Sequence, residues 1–237
     1  MSLRDRDAVE VAHAAVRAMI VSGRAEPGAE LSQVQLARAL GVSTTPLREA
    51  LRRLEAEGLV EARRNRRPRV ARLDPEDLDA VYAERVLLES LGVALSVPRM
   101  TAADLDALER HLDAMRASAA PRAFNEAHAA FHTGLVERCD APLKAEIHRL
   151  MARGDRYRRM SVFGDDPAGR RAGDREHGEI LAACRLGDGR EASRCLAAHL
   201  ARSALTLLAQ LAPDAQPVAV RAALRMLSAA PRAPVPG

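Results

Sequence analysis

Residues 32–60 read SQVQLARALGVSTTPLREALRRLEAEGLV, and this stretch decides the fold. Ser32 and Gln35 have the spacing of a capping box that opens a short helix with Leu36, Ala37 and Leu40 on its apolar side. Gly41 stops that helix. Ser43 is placed to cap the next one, in which Leu47, Ala50, Leu51 and Leu54 recur at the helical period to about Glu57. Helix, short turn with glycine, helix is the helix-turn-helix arrangement. Its second helix lies in a DNA major groove with its N-terminal residues at base edges. Those positions hold Ser43, Thr44, Thr45 and Arg48, and Arg52 follows one turn later, away from the leucine stripe. The two arginines suit phosphate or guanine contacts.

On the N-terminal side, Val9, Ala12, Val16, Met19 and Ile20 predict an amphipathic helix over residues 5–22. Pro27-Gly28 then marks a turn. On the C-terminal side, Leu59-Val60-Glu61-Ala62 and Pro68-Arg69-Val70-Ala71 read as a hairpin wing. Its tip is Arg63-Arg64-Asn65-Arg66-Arg67, and Arg64, Asn65 and Arg66 are its candidate phosphate contacts. Residues 1–72 carry 14 Arg against 9 acids, whereas residues 73–237 carry 22 basic residues against 23 acids. The basic excess therefore lies entirely in the first third, as expected for a polyanion-binding head on a separate body.

The composition narrows the rest. Of 237 residues, 48 % are hydrophobic but only 2 % aromatic, so Ala and Leu must fill the core, which favours close-packed helices over sheets. No apolar run approaches the ~18 residues of a membrane span, and the first residues, MSLRDRD, lack the apolar core of a signal peptide. Cys139, Cys184 and Cys195 form no Cys-x-x-Cys pair, which argues against a disulfide framework and for a reducing, cytoplasmic setting. Of 36 basic residues only Lys144 is lysine, so a lone Arg is weak evidence of function.

Asp74-Pro75-Glu76 is a helix start. The pattern beyond it predicts helices over 75–97, 101–118, 121–139, 141–161, 168–186 and 188–212, then a short helix over 218–228 and a Pro-rich tail. The expected organisation is a winged helix-turn-helix over 1–72, an all-α antiparallel bundle over 73–213, and an appended segment over 214–237. Four histidines fall on inward faces of that bundle. His128 and His132 are four apart beside Phe124, Phe131 and Leu135. His177 shares a face with Ile180, Leu181 and Cys184, and His199 with Ala192, Cys195 and Leu196. Any one of them could be a satisfied core residue. Four converging imidazoles are costly to bury without partners, and a divalent metal of the Zn, Ni, Cu or Fe type would use their nitrogens.

A metal-dependent hydrolase is the alternative use of such a cluster. His128-x-x-x-His132 lacks the Glu that a zincin places directly after its first His, since Ala129 stands there. No Gly-x-Ser-x-Gly elbow or phosphate loop is present. Glu176 is the best remaining acid-base candidate. The reading is therefore of a binding protein and not an enzyme.

The pattern Pro27-Gly28-x-x-Leu31, Leu36-Ala37-x-x-Leu40-Gly41-Val42-Ser43-x-Thr45-Pro46-Leu47-Arg48-Glu49-Ala50-Leu51, Gly58-Leu59-Val60 resembles the winged head of GntR-type transcription regulators. The likeness departs at Thr44 and Val34, where the family tends to carry Arg, and at Arg67, where it tends to carry Gly. Arg85-x-x-Leu88-Glu89, His128-x-x-Phe131-His132, Arg156-Tyr157-Arg158, Glu176-His177-x-x-Ile180 and Leu196-x-x-His199 are similar to the FCD effector domain of one branch of that family. The resemblance implies a homodimer on a pseudo-palindromic operator in double-stranded DNA, usually repressing until a small organic acid binds. It also implies a metal site at His132, His177 and His199, with His128 where the family often has Asp. That exchange favours Zn or Ni over Mn, or leaves His128 as a ligand to the effector instead. It further implies an effector contact from Arg85, for which a buried ion pair with Glu89, four residues on, is the alternative; Arg156 and Tyr157, near the end of a helix that could wall the pocket, are further candidate effector contacts.

Overall fold

The structure, a computed structural model, describes residues 3–21, 24–61, 67–72, 74–118, 120–160 and 167–228. Arg64, Asn65 and Arg66 of the expected wing tip, and the last nine residues, lie outside them. By contact the chain forms two compact units. One holds residues 1–74 together with the chain from Asp155 to the end of its helix, and the other holds most of the remainder.

The first unit begins with α1 (Leu3–Val21), α2 (Gln33–Leu40) and α3 (Thr44–Ala56). Val9, Ala12, Val16 and Ile20 of α1 are buried, as are Leu47, Ala50, Leu51 and Leu54 of α3. Gly41 ends α2 in the left-handed region (φ 65°), where its N–H reaches the Ala37 and Arg38 carbonyls. A side-chain Cβ is disfavoured in that conformation, and the sharp turn between the two helices depends on its absence. Strands β1 (Val60–Glu61) and β2 (Arg69–Val70) pair antiparallel, Val60 opposite Val70. The chain after the Gly28 turn adds to β2 as a further extended segment: Val70 N–H donates to the Ala29 carbonyl and Leu31 N–H to the Pro68 carbonyl, at 2.9 and 2.7 Å.

The second unit, which includes α7 as far as Gly154, is helical: α4 (Pro75–Ser96), α5 (Ala102–Ala117), α6 (Pro121–Leu135), α7 (Ala141–Met160), α8 (Pro167–Arg185), α9 (Gly189–Leu211) and α10 (Val218–Ser228). A single 3-10 turn, Val97–Arg99, follows α4 at Pro98. α4 is the hub: it packs on α9 and α10, while α5 packs on α6 and α8. Gly189 opens α9 against α4, where a Cβ would stand 2.8 Å from the Ala94 carbonyl oxygen, so the two helices approach this closely only with glycine there. α6 ends at Leu135, earlier than the sequence predicts. Val136 and Glu137 donate to Thr133 and Gly134, bonds three residues back that tighten the final turn. Among the described residues no helix is long and apolar enough to cross a membrane.

α10 is held by a carboxylate on α4. Asp79, 7 % exposed, accepts the Ala219 and Val220 N–H groups at 2.7 and 3.0 Å. These are unsatisfied donors of a helix N-terminus, where a negative charge is also favoured by the helix dipole. Asp79→Ala is expected to cost about 1–3 kcal/mol in urea unfolding. It should also expose the amides of α10 to hydrogen exchange ahead of those of α9.

Candidate functional site

On α3 the apolar stripe faces inward, so the helix turns its polar residues outward by periodicity alone. Ser43, Thr44, Thr45, Arg48 and Arg52 are all exposed. Ser43 occupies the N-cap position of α3 but makes no side-chain capping bond. Its hydroxyl is thus not engaged by the helix it precedes. Arg48 Nε donates to Gln33 Oε1 at 3.1 Å, which fixes the guanidinium beside the start of α2. Gln33 carried no signal of this role in the sequence, because the pair is set by how α2 meets α3.

In the helical unit α6 supplies His128 and His132, α8 supplies His177 and α9 supplies His199. All four are buried, and one ligand atom from each lies within 4.8 Å of the others. Ring centroids of His128 and His132 are 4.5 Å apart, and those of His177 and His199 4.4 Å. His132 Nε2 and His177 Nε2 face each other at 3.4 Å. A tetrahedral metal with bonds of about 2.0–2.1 Å spaces its nitrogens by about 3.3–3.4 Å. The donor set thus fits a nitrogen-seeking divalent cation.

Two carboxylates stand behind the imidazoles. His199 Nδ1 donates to Glu176 Oε2 at 2.7 Å, and Arg202 grips both oxygens of that carboxylate. His132 Nδ1 lies 3.7 Å from Glu89 Oε2, and Arg85 Nε donates to Glu89 Oε1 at 2.5 Å. A proton held on Nδ1 leaves Nε2 with its lone pair, which is the state a metal needs. Burial drives the His199 imidazole down to about 4 against the pull of Glu176, so it is neutral at pH 7. Burial works to raise Glu176, but the hydrogen bonds from His199 and Arg202 outweigh it and bring the carboxyl down to about 2. Burial likewise opposes ionisation of Glu89, and the Arg85 charge with the His132 contact holds it below the ordinary carboxylate range.

These pairings decide what the site can do. Glu176, the acid-base candidate of the hydrolase alternative, is committed to His199 and Arg202. Arg85 is buried, committed to Glu89 and set 4.8 Å from the Tyr82 ring centroid, so it connects to the histidines through a carboxylate. Arg156 donates to the Tyr157 hydroxyl at 2.7 Å and stacks on its ring, and both group by contact with the winged unit. The structure therefore brings the four histidines together and ties Arg85 to them, while Arg156 and Tyr157 belong to a different cluster. Burial raises the thiols of Cys184 and Cys195 to about 12 and 11, and neither joins the histidine group.

Residues 8–70 match the bacterial regulatory proteins of the gntR family, and residues 80–202 match the FCD domain. The chain is 31 % identical over 136 residues to the uncharacterized HTH-type transcriptional regulator YdhC of Bacillus subtilis, which covers 57 % of this chain and 55 % of that protein. It is 31 % identical over 205 residues to the HTH-type transcriptional regulator LutR of the same organism, covering 77 % of this chain and 93 % of the relative. Among solved structures, E. coli McbR/YncC is similar with a TM-score of 0.57 at 25 % identity, over 86 % of this chain and 98 % of that one. The fold, the exposed recognition helix and these matches agree: the chain belongs to the GntR family of bacterial regulatory proteins, in the branch whose winged helix-turn-helix is followed by an FCD domain.

Proposed function

We propose that this protein is a cytoplasmic, homodimeric repressor of transcription whose operator affinity is set by a small carboxylate bound at a metal-containing pocket of its helical domain. The observation that carries the pocket is four buried imidazoles within 4.8 Å, two of them backed by carboxylates. In this reading His128, His132, His177 and His199 hold the metal. Bound there, a divalent cation would supply a positive charge that no ligand neutralises, and an anionic group would be accepted as a fifth ligand beside the four imidazoles. Glu176 keeps His199 oriented and in the Nδ1–H form through its hydrogen bond, while the Glu89 carboxylate faces His132 Nδ1 at 3.7 Å. With four nitrogen donors and no carboxylate among them, Zn or Ni is favoured over Mn. Of the effector contacts expected from the sequence, Arg85 is the one tied to this centre, through Glu89. Operator contacts are assigned to Ser43, Thr44, Thr45, Arg48 and Arg52 on the exposed side of α3, and to Arg64, Asn65 and Arg66 of the wing.

The test is elemental analysis of the full chain, purified without chelator or a His tag. About one Zn or Ni per chain is expected. A folded protein with no metal, which also takes up none on dialysis against Zn, would reject the pocket. Glu176→Gln is expected to keep the fold and weaken Zn binding by about 10–100-fold, read by competition with a chromogenic chelator.

A further inference from the structure

The three arginines of α3 do not share one environment. Arg52 and Arg53 each have the Glu49 carboxylate 3.9 Å away, and Arg53 also donates to Glu10 at 2.6 Å. Arg48 meets a neutral group instead. Its Nε donates to the amide oxygen of Gln33, 15 positions earlier on α2, and among the described residues no carboxylate pairs with it. An amide holds a guanidinium without offsetting its charge. It also occupies one particular donor. With Nε–H engaged, the N–H donors of the two Nη groups remain, as a planar fork at the far end of the side chain.

The position of that fork indicates what it meets. Arg48 is the fifth residue of α3, near the end of a recognition helix that is set against base edges. The exposed residues around the starts of the two helices are Val34, Gln35, Ser43, Thr44 and Thr45, and none carries a charge. Arg48 is therefore the cation of this group. A phosphate contact needs positive charge and little orientation. Reading a guanine requires the fork to lie along the base edge, which a free arginine achieves only by losing rotamer freedom. A hydrogen bond formed across the two helices before DNA arrives has already taken that loss.

We infer that Gln33 is a positioning residue for base recognition: it holds Arg48 so that the two Nη groups bind O6 and N7 of one guanine in each operator half-site. This inference rests on the operator contacts proposed for α3. It decides between the two uses open to Arg48, in favour of guanine over phosphate. Gln33 acts through Arg48, and its contribution is to specificity more than to the salt-dependent attraction that any exposed arginine supplies.

The test uses operators that the full chain selects from a random duplex pool. Each guanine of a half-site is replaced in turn by 7-deazaguanine, which lacks N7 and keeps the shape of the base pair. Affinity is read by fluorescence anisotropy at fixed salt. For wild type, one such replacement is expected to cost about fivefold or more. Arg48→Ala should bind the normal and substituted operators alike, and the normal one more weakly than wild type does. Gln33→Leu, at a half-buried position, should keep the thermal midpoint. It should lose about threefold to tenfold on the selected operator and respond less to the 7-deazaguanine. In the Arg48→Ala background, Gln33→Leu should cost nothing further, which a role in packing or a contact of its own would not reproduce. Wild type that is indifferent to every 7-deazaguanine overturns the inference. So does Gln33→Leu that discriminates like wild type, or that costs the same in both backgrounds. Arg48→Ala that binds the selected operator as wild type does would overturn the α3 assignment as well.

Discussion

His132→Ala is expected to leave the helical domain folded and unable to hold the metal proposed for it. The side chain is 3 % exposed and stands between Glu89 and His177, so its removal takes away one ligand nitrogen and the contact between the centre and Glu89. Zinc binding at four-ligand protein sites releases about 10–16 kcal/mol, so one ligand of four accounts for about 3 kcal/mol, a hundredfold or more in affinity. Glu89 keeps Arg85 as its partner and is not left as an isolated buried charge, which is why the fold should survive. Elemental analysis reads the metal, and circular dichroism reads the helices. Full metal content in the variant would mean that the cation sits elsewhere or that His132 is only packed beside it.

The second large effect is at the DNA face. Replacing Arg48 and Arg52 together with alanine is expected to weaken operator binding by about a hundredfold or more, while α1 melts with α3 as before. Each side chain is exposed on α3 and outside the buried stripe, so neither change opens a cavity. A guanidinium paired to a base is worth about 1–3 kcal/mol, and a phosphate contact adds a salt-dependent part. Arg48 alone should cost most on the operator and less on unrelated duplex, because its bond to Gln33 fixes its guanidinium beside the start of α2. Fluorescence anisotropy at fixed salt, with an operator selected from a random pool, measures both. An unchanged affinity would move the recognition surface away from α3.

Much of this was legible in the chain itself. Local rules placed the helices: Ser32 accepts the Gln35 N–H, Gly41 caps α2, Thr101 and Asp104 form a capping box, and the apolar residues of α3 recur at the helical period. These signals need only neighbours three or four residues away, so sequence carries them in full. The four histidines were legible for the same reason. Each sat on the apolar face of its own helix, and in a small bundle such faces meet.

Which groups those histidines meet was decided by tertiary packing. Glu89 lies 43 positions before His132 in the chain and Glu176 lies 23 before His199, and no periodicity links members of such pairs. The arginines were the hardest to place, because the chain holds 35 of them and their burial follows from which helix lies alongside. Arg85 and Glu89, one helical turn apart, could be foreseen as an ion pair. That Arg202 closes on Glu176, that Arg170 lies over Phe124, and that Arg156 joins the cluster of the winged unit could not. The extended segment after Gly28 and the early end of α6 belong with these, since both depend on hydrogen bonds and packing that form only when distant segments meet. The sequence alone thus determined the elements and their buried faces, through short-range periodicity and capping. The tertiary structure decided the partners of each buried charge, because burying a charge is favourable only when a specific distant group completes its bonds.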